Sequence, residues 1–247
     1  MDKRNIVVLG GTGGIGRAIA HRFSQEGCAV YLLGRNLDRL AQAAQAISQQ
    51  TGQPVQVQVC DLGRLGSIKA TFAALPRIDV LINAAGSIPR KSLLETSPED
   101  WQGSWSAKVF GAIESSRVAC ECMKDAGGGV IIQIIGISGV KLNAKTILTT
   151  TANAALMAFT QSLGAQSVDW NVRVVGINPG MTETPRTEDL RTGTGSDAYK
   201  AALANLPFKR MAKAEEIAAC AWFLASPQAS YISGSVIDVD AGTRWRV

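Results

Sequence analysis

Three glycines, Gly10, Gly14 and Gly16, stand at Gly-x-x-x-Gly-x-Gly spacing in the run Gly10-Gly11-Thr12-Gly13-Gly14-Ile15-Gly16. The run directly follows the apolar stretch Ile6-Val7-Val8-Leu9 and directly precedes the helical pattern Arg17-Ala18-Ile19-Ala20. The chemistry such a loop serves is anion binding. The first glycine lets the chain turn sharply, the second lets backbone approach a pyrophosphate, and the third lets the helix pack closely on the strand. Free N–H groups and the positive end of the helix dipole then meet the phosphates. Glycine runs also make plain turns; the placement between a strand and a helix is what favours a nucleotide. A second residue bears on which nucleotide. The run Tyr31-Leu32-Leu33 ends in Gly34-Arg35-Asn36. An acid at position 34 would accept bonds from a ribose 2′-hydroxyl and repel a 2′-phosphate, whereas Gly34 followed by the Arg35 guanidinium favours NADP(H) over NAD(H). The competing reading of Arg35 is a solvated residue at a helix start.

These loops need elements to hold them, and the chain supplies strands and helices in alternation. Short β-rich apolar runs fall at Ile6 to Leu9, Ala29 to Leu33, Val55 to Val59, Val80 to Asn83, Val130 to Ile135, Val172 to Ile177 and Ser235 to Val239. Longer helical patterns separate them, which predicts repeated βαβ units and a mainly parallel sheet. Seven strands fit one doubly wound α/β sheet with helices on both faces, in a single domain over 1–247. Near-continuous apolar strands such as Val130-Ile131-Ile132 are what a sheet covered on both faces requires. The stretch 182–206, with Arg191-Thr192-Gly193-Thr194-Gly195-Ser196, breaks the alternation and is expected to form a mobile substrate lid.

With 46% hydrophobic and 18% charged residues over 247 positions, the composition is that of an ordinary globular domain, and no apolar run approaches a membrane span. The polar start Met1-Asp2-Lys3-Arg4-Asn5 runs into a strand without a signal-peptide core, so a cytoplasmic location is expected. Five scattered cysteines without a Cys-x-x-Cys fit reduced thiols, and Cys120 and Cys122, two apart on a helix, point to different faces. With His21 as the single histidine, no metal site is expected. The net charge of +5 is spread along the chain rather than gathered in a stripe, so nucleic acid is not an expected partner.

Further motifs add to the glycine loop. Asp61-Leu62 closes the third strand, Asn83-Ala84-Ala85-Gly86 follows the fourth, Asn178-Pro179-Gly180-Met181-Thr182-Glu183-Thr184 follows the sixth, and Ile237-Asp238-Val239-Asp240-Ala241-Gly242 closes the seventh. Together they resemble the short-chain dehydrogenase/reductases over nearly the whole length, which implies a Rossmann-type fold. The resemblance assigns roles. Thr12, Gly13 and Ile15 complete the phosphate loop, and Asp61 with Leu62 contacts the adenine. Asn83, Ala84, Ala85 and Gly86 support the central sheet and the adenosine end. Pro179 and Gly180 lead to the Thr182 backbone and the Thr184 hydroxyl, which hold the nicotinamide carboxamide. Ala241 departs from the family, which has glycine there.

In that family four side chains act together: a serine after the fifth strand, a tyrosine and a lysine four apart on the next helix, and an asparagine on the helix before. The matching positions here are Gly136, with Ser138 two residues later, then Thr149, Asn153 and Lys108. The Tyr–Lys pair works because residues four apart share a helix face and the ammonium lowers a phenol pKa that starts at roughly 10. A threonine hydroxyl is far less acidic. Losing a general acid costs about 10²–10⁴-fold, and losing a carbonyl hydrogen-bond donor about 10²–10³-fold. Asn153 and Lys108 keep an amide and an ammonium in the locale, exchanged between helices that the family fold would bring together behind the nicotinamide ribose. The expectation is that Lys108 holds the ribose and polarises a proton path through water, with Thr149, Thr150 or Ser138 orienting the substrate carbonyl. The alternative is a surface lysine on a helix whose other face carries Trp105 and Val109. Lys141 and Lys145 are further candidate acids at the rim.

The resemblance implies an NADP(H)-dependent oxidoreductase acting on a carbonyl or hydroxyl of a small molecule. Ser87, Ile88, Ile137, Met181 and the segment beyond Pro185 are mainly apolar and suggest a hydrophobic substrate. The family also implies a homotetramer or homodimer, built from the helices near 101–124 and 147–168 and the last strand. Trp101, Trp105 and Phe110, with Leu156, Met157 and Phe159, suit such a surface, although one face of each helix must pack on the sheet anyway. Two other readings stay open: a catalytically silent nucleotide-binding relative serving as sensor or oligomer partner, and a non-redox enzyme such as a lyase or dehalogenase. The intact glycine loop and Pro-Gly motif weigh against the last.

Overall fold

Successive side chains of the strands point to opposite faces, and here both faces are apolar. In β1 (Asn5–Leu9), Ile6 and Val8 enter one core while Val7 and Leu9 enter the other. A computed structural model describes residues 3–86, 88–185, 187–188, 200 and 203–246. The strands β1, β2 (Ala29–Gly34), β3 (Val55–Val59), β4 (Val80–Asn83), β5 (Gly129–Ile134), β6 (Val172–Pro179) and β7 (Val236–Val239) form one sheet in the order β3-β2-β1-β4-β5-β6-β7. The apolar runs predict a mainly parallel sheet, and every pairing among the described strands is parallel. Strand β5 ends one residue earlier than expected, and β6 runs two further, to Pro179.

Three helices cover one face: α1 (Gly14–Gln25) through Ile19 and Phe23, α2 (Leu37–Thr51) through Leu40 and Ile47, and α7 (Ala214–Leu224) through Ile217 and Leu224. The other face is covered by α3 (Leu65–Ala73) through Ile68 and Phe72, and by α5 (Gly111–Asp125) through Val118 and Met123. Each such side chain, fully buried, contributes about 1.5–3 kcal/mol. A third apolar cluster joins Val109 and Ala112 to Leu148, Ala152 and Leu156 of α6 (Ile147–Gln166). Ile88 packs inside that cluster at 2% exposure, so it is a core residue and not the pocket wall its position suggested.

The chain crosses from β3 back past β1 to β4, so strand order reverses between β1 and β4. That is the switch point at which open α/β sheets bind ligands, outside the carboxyl ends of the strands. Helix α4 (Pro98–Trp105), capped by Ser97 and Asp100, does not run straight into α5: Ser106–Phe110 is a π-turn. The wider turn re-phases the helix, burying Lys108 and leaving Phe110 exposed on the far side. Single π-turns inside α-helices frequently mark functional sites. Among the described residues no helix is long and apolar enough to cross a membrane. Of the expected lid, positions 186, 189–199 and 201–202 lie outside the described residues, as does Ser87.

Candidate nucleotide and catalytic site

Gly10 turns out of β1 at φ +82°, a conformation that favours glycine, and a Cβ there would lie 2.7 Å from the Ala84 carbonyl. A Cβ on Gly16 would collide with the carbonyl oxygen of Gly10, to which the Gly13 N–H donates at 3.0 Å. The loop is therefore closed on itself and on Ala84-Ala85. Helix α1, with Gly13 as its N-cap, has no side-chain cap and no acidic residue in its first turn. Its first N–H groups thus have no partner within the helix and face the mouth of the switch point. Thr184 lies across this loop, its methyl 2.6 Å from where a Gly14 Cβ would be. The Pro-Gly segment and the glycine loop thus share one mouth. Gly180 is tied to β7 through Val239 O, and the buried Thr182 bonds its own turn at Gly180 O.

The ends of β2 and β3 form the neighbouring wall. Cys60 N–H donates to Gly34 O, continuing the register in which Gly34 pairs with Val59, two residues before Asp61. The Asp61 carboxylate accepts from Gly63 N–H at 3.0 Å and faces the largely exposed Arg64 at 3.9 Å, and Leu62 is buried against Gly111. Arg35 is exposed, and among the described residues its guanidinium has no hydrogen bond or ion pair. It precedes Asn36, whose side chain caps α2 through Arg39 N–H. On the other side Asn83 is fixed by Ser115 and Ser116, the latter also receiving a bond from Gln133, so that β4, β5 and α5 are locked where Ala84 to Gly86 emerge.

The positions expected to be catalytic converge beyond β5. Lys108 is 8% exposed, so it is not the surface lysine of the alternative reading. Its stem lies along Gly86, within 2.9–3.1 Å of where a Cβ would stand, and its Nζ donates to Ile135 O at 3.0 Å. Asn153, 2% exposed on α6, donates through Nδ2 to Gly136 O at 3.3 Å and to Ser138 Oγ at 2.8 Å. The ammonium and the amide therefore seize consecutive carbonyls of one turn. Among the described residues Asn153 Oδ1 is buried without a hydrogen-bond partner, an acceptor suited to a hydroxyl. Of the threonines, Thr150 donates to Asn143 O and Thr151 to Ile147 O, while the half-buried Thr149 makes no hydrogen bond among the described residues. Lys141 is spoken for, its Nζ on the carbonyls of Thr243 and Arg246, and Lys145 is exposed. Lys141 is therefore a tie to the C-terminal turn and not an acid at the cleft.

Asn178 also belongs to this arrangement, although nothing in its type marks it beyond its place before Pro179. Its Oδ1 accepts from Gly136 N–H at 3.4 Å and its Nδ2 donates to Asp238 at 2.8 Å. Asp238 in turn accepts from Arg244.

The switch-point loop, the uncapped helix start and the free guanidinium at the end of β2 define a dinucleotide-binding α/β protein. The residues fit such a cofactor: the glycine cradle leaves room for a pyrophosphate, and Asn153 Oδ1 and Arg35 offer an acceptor and a cation. A family model described as enoyl-(acyl carrier protein) reductase matches residues 10–244. The 3-oxoacyl-[acyl-carrier-protein] reductase FabG of Chlamydia trachomatis is 31% identical, over 97% of this chain and 96% of its own. The carbonyl reductase family member 4 of Xenopus laevis is likewise 31% identical, over 95% of each chain. The solved L-sorbose reductase from Gluconobacter frateurii, complexed with NADPH and L-sorbose, is 30% identical with a TM-score of 0.91, covering 100% of this chain and 98% of that one. This chain belongs to the short-chain dehydrogenase/reductase family of NAD(P)-dependent oxidoreductases.

Proposed function

We propose that this protein is an NADP(H)-dependent oxidoreductase acting on the carbonyl or hydroxyl of a small, hydrophobic substrate through a rearranged catalytic site. The observation that carries the reading is the convergence of Lys108 and Asn153 on the adjacent carbonyls of Ile135 and Gly136, beside the glycine loop's mouth. In this reading the α1 amides and Gly10 to Gly16 hold the pyrophosphate, Asp61 meets the adenine, and Arg35 meets the 2′-phosphate. Thr182 and Thr184 hold the carboxamide. Asn153 Oδ1 accepts from a ribose hydroxyl, and Lys108, anchored on Ile135 O, supplies the cation that polarises a proton path through water. The bound cofactor supplies or accepts the hydride. The NADPH present in the similar L-sorbose reductase structure supports the choice of cofactor. The protein assembles as a homodimer or homotetramer.

The test is a thermal shift with NADPH, NADH and no ligand, followed by turnover against ketones and alcohols. A ligand at 100 times its Kd stabilises the folded state by about 2.7 kcal/mol. Stabilisation by NADPH and not NADH, with NADPH consumed, is the expected result. One observation favours a second reading, a nucleotide-binding relative without turnover: Thr149, at the family's tyrosine position, carries only an aliphatic hydroxyl. Bound cofactor without hydride transfer to any ketone would select it.

A further inference from the structure

The turn Gly136 to Gly139 is pressed against α6 by its two glycines. A Cβ on Gly139 would lie 2.9 Å from the backbone of Asn153 and from Met157 Sδ, and a Cβ on Gly136 would lie 2.8 Å from Asn153 Nδ2. Gly136 itself sits at φ +132°, a conformation L side chains rarely adopt, and its N–H and carbonyl are held by Asn178 and Asn153. The Asn153 amide thus fills the space a side chain at 136 would use. What the turn offers instead is Ser138, half-buried, with Oγ accepting from Asn153 Nδ2 at 2.8 Å. An amide N–H can only donate, so Ser138 keeps its own O–H proton to donate elsewhere.

We infer that Ser138 is the catalytic residue that donates a hydrogen bond to the substrate's carbonyl oxygen, and that Asn153 is the positioning residue that aims it. This deepens the oxidoreductase reading and rests on it. The other hydroxyls are less suited: Thr150 and Thr151 are bound to backbone carbonyls, and among the described residues no hydrogen bond fixes Thr149. A donor aimed before substrate arrives stabilises a developing oxyanion without reorganisation, which is what makes such donors effective. The exchange of residues at 136 and 153 is then one change and not two. Asn153 requires glycine at 136 and moves the hydroxyl two residues along.

The experiment uses the full chain with NADPH and ethyl acetoacetate as the probe ketone, alongside melting of the apo protein. Ser138→Ala lowers kcat and kcat/KM together by about 10²–10³-fold, the cost of one oxyanion donor. NADPH affinity is unchanged, and Ser138→Thr recovers most of the loss. Asn153→Ala lowers kcat in the same direction. In the apo protein, Gly136→Ser lowers Tm far more in the native background than beside Asn153→Ala, because the second change removes the amide in its way. Full kcat in Ser138→Ala, or Tm losses that simply add, would overturn the inference while leaving the oxidoreductase reading intact. Failure of the native protein to consume NADPH on any ketone would instead overturn that reading, and the role of Ser138 with it.

Discussion

Lys108→Met removes an ammonium and little else. Methionine has the same number of chain atoms as far as Cε, so the stem that fills the space beside Gly86 is retained and α5 keeps its packing. Two local effects oppose each other in the free protein. Ile135 O loses a donor, which costs about 1–3 kcal/mol for a buried carbonyl, but a cation no longer has to be desolvated at 8% exposure. The net change in Tm is therefore small, since 1 kcal/mol corresponds to about 2–4 °C at this chain length. With cofactor bound, the loss has no such offset. A hydrogen bond from a charged donor is worth about 1.5–3 kcal/mol, so Kd rises by about 10–100-fold. A ribose hydroxyl is common to both cofactors, and the loss is therefore equal for NADPH and NADH. Titration of cofactor fluorescence measures both constants. A Kd for NADPH within twofold of the native value, with unchanged turnover, would refute the role given to Lys108.

Arg35→Ala should behave differently, raising the Kd for NADPH by about 10–100-fold while leaving NADH unaffected, because a charge-assisted contact to the 2′-phosphate is lost alone; equal losses for both cofactors would place Arg35 elsewhere. Gly16→Ala drives a methyl into the Gly10 carbonyl, which is backbone and cannot give, so urea unfolding should show a loss of about 1–3 kcal/mol or more. Glu216 accepts a bidentate bond from Arg210, and that guanidinium, followed by the Lys213 N–H, holds its carboxyl down at about 2. The folded pKa lies below the ordinary value of about 4.3, so the stabilisation is present above that pH and is lost as pH falls toward 2. Glu216→Gln should therefore lower Tm slightly at neutral pH, the more so at low salt because both partners are over 40% exposed. The gap should close in acid, and a gap that persists at pH near 2 would show that the charge contributes nothing.

The strands were legible because each is a short apolar run whose two faces both need cover, and the glycine loop was legible because its conformation is dictated within seven residues. What escaped the sequence depends on packing between distant segments. The π-turn at Ser106–Phe110 has no local signature, since the residues read as continuing helix, yet it decides that Lys108 points inward. The bond from Gly136 to Asn178 spans 42 residues, and the Asn153 to Ser138 contact 15. Ile88 looked like a pocket residue because an apolar side chain in a loop after a strand carries no information on which way it faces. Lys141 looked like a candidate acid for the same reason, and only the placement of the C-terminal turn shows its partners.

Ala241 and Gly136, two positions of positive φ, show opposite constraints. Ala241 adopts a left-handed φ of 53°. Such a conformation costs a non-glycine residue roughly 1–2 kcal/mol. It persists because the Asp240 carboxylate accepts from Gly242 N–H and Arg244 N–H just after Ala241, with Thr243 bonded back to Asp240 O. There the backbone is over-determined and the side chain is free to change. At Gly136 the constraint runs the other way. The φ of +132° and the Asn153 amide each exclude a side chain, so no hydroxyl can be presented from 136 without moving the backbone that Asn178 and Asn153 hold. A side-chain hydroxyl at this turn must then come from a neighbouring residue. Ser138 carries the hydroxyl within Gly136 to Gly139, and its Oγ already accepts from Asn153.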